Sequence, residues 1–378
     1  MPFDFRLSKP SSLLLDLVRA TAAQAVVIGH GISSFEVAQI PFVQNSAVAV
    51  FFVISGIVIP YSTFTKTDRD PGFSFSAYFV DRFSRIYMGL APCLVFVAAL
   101  DTLNKNLFGD AYYYTRSNSY DLRTFLGNLL MLQDHPFQTV PTKILSQWLS
   151  VSPAWFPPIT SFGSARQLWT VAIEWWIYLL FGWLALGGPI RLKRPVVYWT
   201  GVLFFLAVPW FNWVFGGRGS GLTLMWGLGL VILALLSQAP RNWFEGDALF
   251  LAGFFFLASL ARLLYTQEAY DVLFVTLFAL SLYFVLNDLQ RRPEMTIPKG
   301  VSTVITFTSN FSYTLYLVHG TVLYFLVNWL GTGVRNFALG FVFSNLFSVV
   351  LYEAFEKHHR AVAKRLKTAM GISSPRAT

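Results

Sequence analysis

The chain has 378 residues, of which 55% are hydrophobic and only 12% charged, with a formal charge of +9. A soluble domain carries about 25% charge, so this composition excludes a soluble globular protein and predicts an all-α, polytopic membrane helical bundle. In a soluble protein the basic surplus would point to nucleic acid. Here it falls in loops and a tail that sit beside anionic membrane lipid, so no nucleic-acid partner is expected.

Arg6 and Lys9 precede the first apolar run and mimic a signal peptide, but Asp16 and Arg19 interrupt the apolar core such a peptide needs. The run is therefore read as the first of about ten spans, each near the ~20 residues that cross hydrocarbon: 13–33, 45–64, 84–101, 166–187, 195–214, 219–237, 245–264, 269–288, 303–328 and 335–356. An apolar piece at 122–132 is too short to cross and reads as interfacial or re-entrant within a long outer loop, 102–165. Tyr112, Tyr113, Tyr114, Trp148, Trp155, Pro157 and Pro158 make that loop aromatic and stiff, either as an interfacial belt or as a surface for a sugar. The single cysteine, Cys93, allows no intramolecular disulfide, and no metal site is expected. Residues 1–356 form the transmembrane domain; 357–378 are a basic cytoplasmic tail, read as an interfacial helix that frays. Most of the 28 Lys and Arg residues fall in the segments that are inside when the N-terminus is inside. This predicts a multi-pass plasma-membrane protein with both termini cytoplasmic.

The first span carries both Arg19 and His30, whose spacing is close to three helical turns, so they share one face about 16 Å apart. An Arg at mid-span costs about 2.5–3.5 kcal/mol on insertion, and such groups usually mark a site. With span 4 running inward and span 9 outward, Glu174 and His319 fall near the depth of His30, which points to a common cavity or, since depth alone does not fix the side, to different sides of the bundle. His319 has a second reading, an interhelical hydrogen bond satisfied by Tyr313 or Tyr316. Arg82 and Arg85, an i, i+3 pair at the start of span 3, serve as a positive-inside anchor or as a phosphate clamp. Ser55-Gly56 in span 2 lets another helix or a ligand chain approach closely.

In order and spacing these segments resemble the acyltransferase-3 family of integral-membrane acyltransferases. The first-helix motif is similar from Leu15-Asp16-Leu17-Val18-Arg19 to Gly29-His30, and the second-helix signature from Phe51 to Gly56. Arg82-Phe83-Ser84-Arg85-Ile86-Tyr87 matches R-x-x-R-I-Y, and Trp169 to Glu174 resembles the family's Trp-Ser-Leu-Ser-x-Glu segment. Ser312 to His319 and Phe355-Glu356-Lys357 are weaker matches. Thr170 and Ala172 stand where the family has serines, Met88 where it has proline, and Ala47-Val48-Ala49-Val50 where it often has Gly-Val-Asp.

The resemblance implies transfer of an acyl group, commonly acetyl, from cytoplasmic acyl-CoA to a hydroxyl of a carbohydrate or lipid-linked sugar at the outer face of a bacterial inner membrane. In that reading Arg82 and Arg85 hold the CoA phosphates and the pantetheine arm passes Arg19 and Ser55. His30 is the general base, or the nucleophile of an acyl-imidazole route. Glu174 orients the reacting centre or assists as a second acid or base, Arg19 stabilises negative charge, and His319 and Tyr316 bind substrate. The rival class is a transporter or flippase, since intramembrane Arg, Glu and His also mark substrate paths.

Overall fold

Helix ends follow local chemistry. In the computed structural model, which describes residues 5–39, 42–109, 118–136, 138, 158–214, 219–238, 244–266 and 268–372, helix α1 (Lys9–Ser34) is capped by Ser8, whose hydroxyl accepts from Ser11 N–H at 3.2 Å, with Pro10 in its first turn. After α2 (Val43–Arg69) comes α3 (Phe75–Phe108), capped by Ser74 and stopped by Gly109 at φ 67°. The short α4 (Leu122–Leu129) lies in the long loop and is capped by Asp121, whose carboxylate accepts from Thr124 N–H at 2.6 Å. That bond holds the Asp121 carboxyl below its ordinary range. Then follow α5 (Leu168–Leu186), α6 (Gly188–Lys193), α7 (Pro195–Val214), α8 (Leu222–Gln238), α9 (Ala248–Tyr265), α10 (Val272–Arg291), α11 (Lys299–Asn310), α12 (Ser312–Leu330), α13 (Val334–Ala354) and α14 (His359–Ala369).

The protein is an all-α, polytopic membrane bundle. Among the described residues, eight helical segments are long and apolar enough to cross a membrane: α1, α2, α3, α5, α7, α9, α10 and the run from Val334 to Ala369. The apolar α8, at 17 residues, and α12, at 19, are the other rods of near-membrane length. Helices α7, α9 and α13 turn Leu203, Phe250, Leu257, Leu264 and Val350 outward, where lipid would cover them. The ninth span expected at 303–328 is two helices instead. Phe311 sits between them at φ −94°, ψ 4°, Ser312 Oγ donates to Ser309 O at 2.7 Å, and Arg19 donates to the Ser309 hydroxyl. Local hydroxyl bonds and a cation on another helix thus break a rod that hydropathy alone draws as continuous.

Two sets of contacts mark the ends of the bundle. Arg6 pairs with Asp68 at 2.6 Å, Ser8 Oγ donates to Leu289 O, and Asp81 takes both Lys66 and Lys367 at 2.7 Å. The starts of α1 and α3, the ends of α2 and α10, and α14 therefore gather at one basic end. At the other end the long loop folds back on the bundle. Asp101 accepts from Ser164 N at 2.9 Å and Oγ at 2.7 Å, and Asn128 bridges to Thr160 and Phe162. Tyr112 to Tyr114, Trp148, Trp155 and Pro157 lie outside the described residues. Helices α2 and α8 cross at Gly56 and Gly229, where a Cβ on either glycine would run into backbone of the other helix.

Candidate active site

A pair of cavities lined by described residues frames the candidate site. The one at the basic end has a volume of about 730 Å³ and runs between α1, α2, α3, α5, α12 and α14. Seven Lys and Arg side chains line it (Arg19, Lys66, Arg82, Arg85, Arg360, Lys364 and Lys367) against two carboxylates, Asp81 and Glu174. Their commitments differ. Arg19 pairs with Asp16 at 2.7 Å, an i, i+3 neighbour, and donates to Ser309 Oγ at 2.6 and 2.8 Å. Arg85 pairs with Glu356, which is fully buried and also accepts from Thr314 Oγ1. Lys66 and Lys367 share Asp81. Arg82 rests on the Tyr78 ring, 5.8 Å from its centroid, and its Nε is buried without a hydrogen-bond partner among the described residues. The two arginines of the R-x-x-R turn thus divide: both line the cavity, but Arg85 is held by a carboxylate and Arg82 keeps donor capacity.

Deeper in, Glu174 belongs to a chain of hydrogen bonds. Tyr178, four residues on and so on the same face of α5, donates to Glu174. Ser55 Oγ lies 2.8 Å from Tyr178 Oη and accepts from Trp226 Nε1 at 3.2 Å. With the tyrosine proton given to the carboxylate, the direction of the whole chain is set: Trp226 to Ser55 to Tyr178 to Glu174.

The second cavity, about 460 Å³, opens toward the other end. His30, Ser33, Ser34, Gln44, Asn45, Arg166, Gln167, Trp169 and Tyr270 line it, with one cation and no carboxylate among the described residues. The ring of His30 meets that of His319 edge to face, centroids 5.2 Å apart. His319 is fully buried, and its Nδ1 lies 3.1 Å from Leu315 O and 2.9 Å from Tyr316 O. Carbonyls only accept, so Nδ1 carries the proton and Nε2 presents a lone pair, which has no partner among the described residues. Gln44 Oε1 is likewise buried and unpartnered among them.

Val48, Thr170 and Tyr316 line both cavities. Thr170 Oγ1 gives its proton to Gln167 O at 2.8 Å, so the 2.5 Å contact between Thr170 Oγ1 and Tyr316 Oη has the tyrosine as donor. Phe51 and His319 flank the Tyr316 ring at 6.0 and 5.9 Å. One hydrogen-bonded pair and a valine therefore form the partition.

The structure joins His30, His319 and Tyr316 in one group, and Glu174 and Ser55 in another, with Arg19, Arg82 and Arg85 lining the same cavity as the latter. Glu174 lies on the basic side of the partition rather than beside His30, because α5 turns it toward α2. Tyr178, Trp226 and the residues of α14 were not singled out from the sequence. Tyr178 was legible as the i+4 neighbour of Glu174, and Glu356 stood in a weak motif, but no local pattern tied it to Arg85, 271 residues away. No group of His, Cys, Asp or Glu among the described residues could hold a metal ion.

A family model described as an acyltransferase domain, Acyl_transf_3, matches residues 13–353. No match was found among curated proteins or among solved structures.

Proposed function

The chain belongs to the acyltransferase-3 family and is a membrane acyltransferase, and on that premise we propose that it moves an acyl group, acetyl in this reading, from acyl-CoA in the basic cavity to a hydroxyl of a carbohydrate or lipid-linked sugar in the second cavity. The basic end faces the cytoplasm, as the placement of Lys and Arg favours, and the second cavity opens to the outer face of a bacterial inner membrane. Phosphates need unspent cationic donors, which Arg82, with its unpartnered Nε, supplies at the cavity wall. A neutral polyol needs amides, hydroxyls and an aromatic wall without strong charge. Gln44, Asn45, Ser33, Ser34 and Trp169 supply these.

In the proposed reaction the Tyr316–Thr170 pair parts once the acceptor is bound, the thioester reaches the second cavity, and His30 takes the proton of the acceptor hydroxyl as its oxygen attacks the thioester carbonyl. The C–S bond then breaks, the acyl ester forms, and the coenzyme leaves as its thiol with the proton released at His30. The His319 ring, edge to face with His30 at 5.2 Å between centroids, holds the base in place. Arg19 and the Ser55–Tyr178–Glu174 chain orient the donor on the other side of the partition. The observation that carries the reading is the meeting of the two cavities at Tyr316 and Thr170, with an imidazole on one side and the cationic lining on the other.

The test is release of free coenzyme A thiol by purified protein given acetyl-CoA and candidate glycans, with the mass gain of one acetyl group on the glycan. We expect both with the native protein and neither with His30→Ala. A transporter or flippase would release no thiol, and an unimpaired His30→Ala would remove the assignment of the base.

A further inference from the structure

Helix α14 lies beyond the family-matched segment, which ends at residue 353, yet it is built into the wall of the basic cavity. Arg360, Ala363, Lys364, Lys367 and Thr368 recur at i, i+3, i+4, i+7 and i+8, which places them on one helical face. That face lines the cavity. A basic helix lying on a bilayer would direct its cations to headgroups and its apolar face into lipid; here Ala363 is buried, Lys367 is half-buried, and Arg360 and Lys364 stand exposed at the rim of the cavity they line.

The helix is fixed there at both ends. At its start Glu356 is buried against Arg85 and Thr314, and His359 Nδ1 lies 2.9 Å from Glu356 O. Near its end Lys367 bonds Asp81 Oδ1 at 2.7 Å while Lys66 takes the other oxygen at 2.7 Å, and both ammonium groups sit over the Phe73 ring. Asp81 is thus a shared anchor for two lysines and offsets only one of their charges. Arg360 and Lys364 have no carboxylate within ion-pair distance among the described residues. The mouth therefore carries a surplus of positive charge beside the unpartnered Nε of Arg82.

We infer that α14 is a wall of the donor site, and that Arg360, Lys364 and Lys367 bind the phosphate groups of the acyl donor's nucleotide end. This rests on the donor reading above. The shared chemistry is a phosphate, which a nucleotide or an anionic lipid headgroup could supply, and the position of the cations around one cavity mouth, with Lys66 and Arg82 on the same lining, favours the nucleotide. In this arrangement α2 and α3 hold one side of the polyphosphate and α14 the other.

The test measures equilibrium binding of coenzyme A to the full-length protein in nanodiscs of zwitterionic lipid. Two variants are compared with the native protein: Arg360→Gln with Lys364→Gln, which leaves the Asp81 bridge intact, and the same pair with Lys367→Gln. Arg365→Gln, on the exposed face of the same helix, is the control, and thermal unfolding checks each variant's fold. We expect binding at least about tenfold weaker in the double variant, weaker again in the triple, and unchanged in the control. Dephospho-coenzyme A should lose part of this difference if one of the three contacts the 3′-phosphate. Native-like binding by a folded double variant overturns the inference while leaving the proposed function intact. In that case a second arm, flotation with vesicles containing phosphatidylglycerol, assigns the cations to lipid if the variants float less. Failure of the native protein to bind coenzyme A at all would remove the donor reading itself, and this inference with it.

Discussion

The two cavities share a wall but follow opposite rules. The basic one holds seven cations, most of them already tied to protein carboxylates, and its polar groups are chained from one helix to the next. Among the described residues the second holds one cation and no carboxylate, with imidazole, amide, hydroxyl and indole groups along its wall. A site for a polyanion needs surplus charge, and in a bilayer that charge is tolerable when the deeper cations are partly offset and the unpaired ones stand at the exposed mouth. A site for a neutral polyol needs unspent hydrogen-bonding groups instead. The contrast teaches that burial here is matched to ligand charge, and it can be broken from either side.

The largest effect is expected on the imidazole side. His30→Ala should lower acyl transfer by about 10²–10⁴-fold while coenzyme A binding stays unchanged, because the base and the phosphate site lie across the partition from each other. Equal losses in transfer and binding would mean that the two cavities are one site. On the basic side Glu356→Ala should do the reverse and act first on stability. It leaves Arg85 facing a buried void, at the low end of about 3–5 kcal/mol because the Arg85 side chain is itself 28% exposed. Thermal unfolding in detergent reads this directly.

The partition itself should respond more gently. Tyr316→Phe removes the hydrogen bond to Thr170, about 1 kcal/mol, and should raise slow hydrolysis of acetyl-CoA without acceptor, since water in the second cavity would reach the thioester. Thiol release in the absence of glycan measures it, and no rise would show that the pair does not separate the cavities. Smallest is a change that touches neither cavity. Asp121→Ala should cost α4 about 1 kcal/mol of local stability, seen by hydrogen exchange, and leave thiol release alone. The native cap has its own pH signature: the Asp121 carboxyl is held below its ordinary value, so this stabilisation is present above that value and is lost as pH falls through the lowered one. Asp121→Asn should abolish that dependence.

Much of this was legible in the chain. Spans 13–33, 45–64, 195–214 and 269–288 fall on α1, α2, α7 and α10, because hydrophobic length is a local property. The face shared by Arg19 and His30 is real, yet the two line different cavities, since 16 Å of helix is enough to cross the partition. Span 303–328 was misread because the break at Phe311 depends on Ser309 meeting Arg19 from another helix. Depth put Glu174 level with His30 but left its side of the bundle open, because depth ignores which neighbour a helix face meets.

By itself, then, the amino-acid order determined a multi-pass helical bundle, its acyltransferase family and the residues worth suspecting, because apolar length, helical spacing and ordered motifs are written within a few turns. Only the tertiary structure decided that Arg85 answers to Glu356, that Tyr316 and Thr170 form a wall, and that the tail enters the basic cavity. Those are contacts between segments up to hundreds of residues apart, chosen by which helix faces pack together and which charges must be offset when they do.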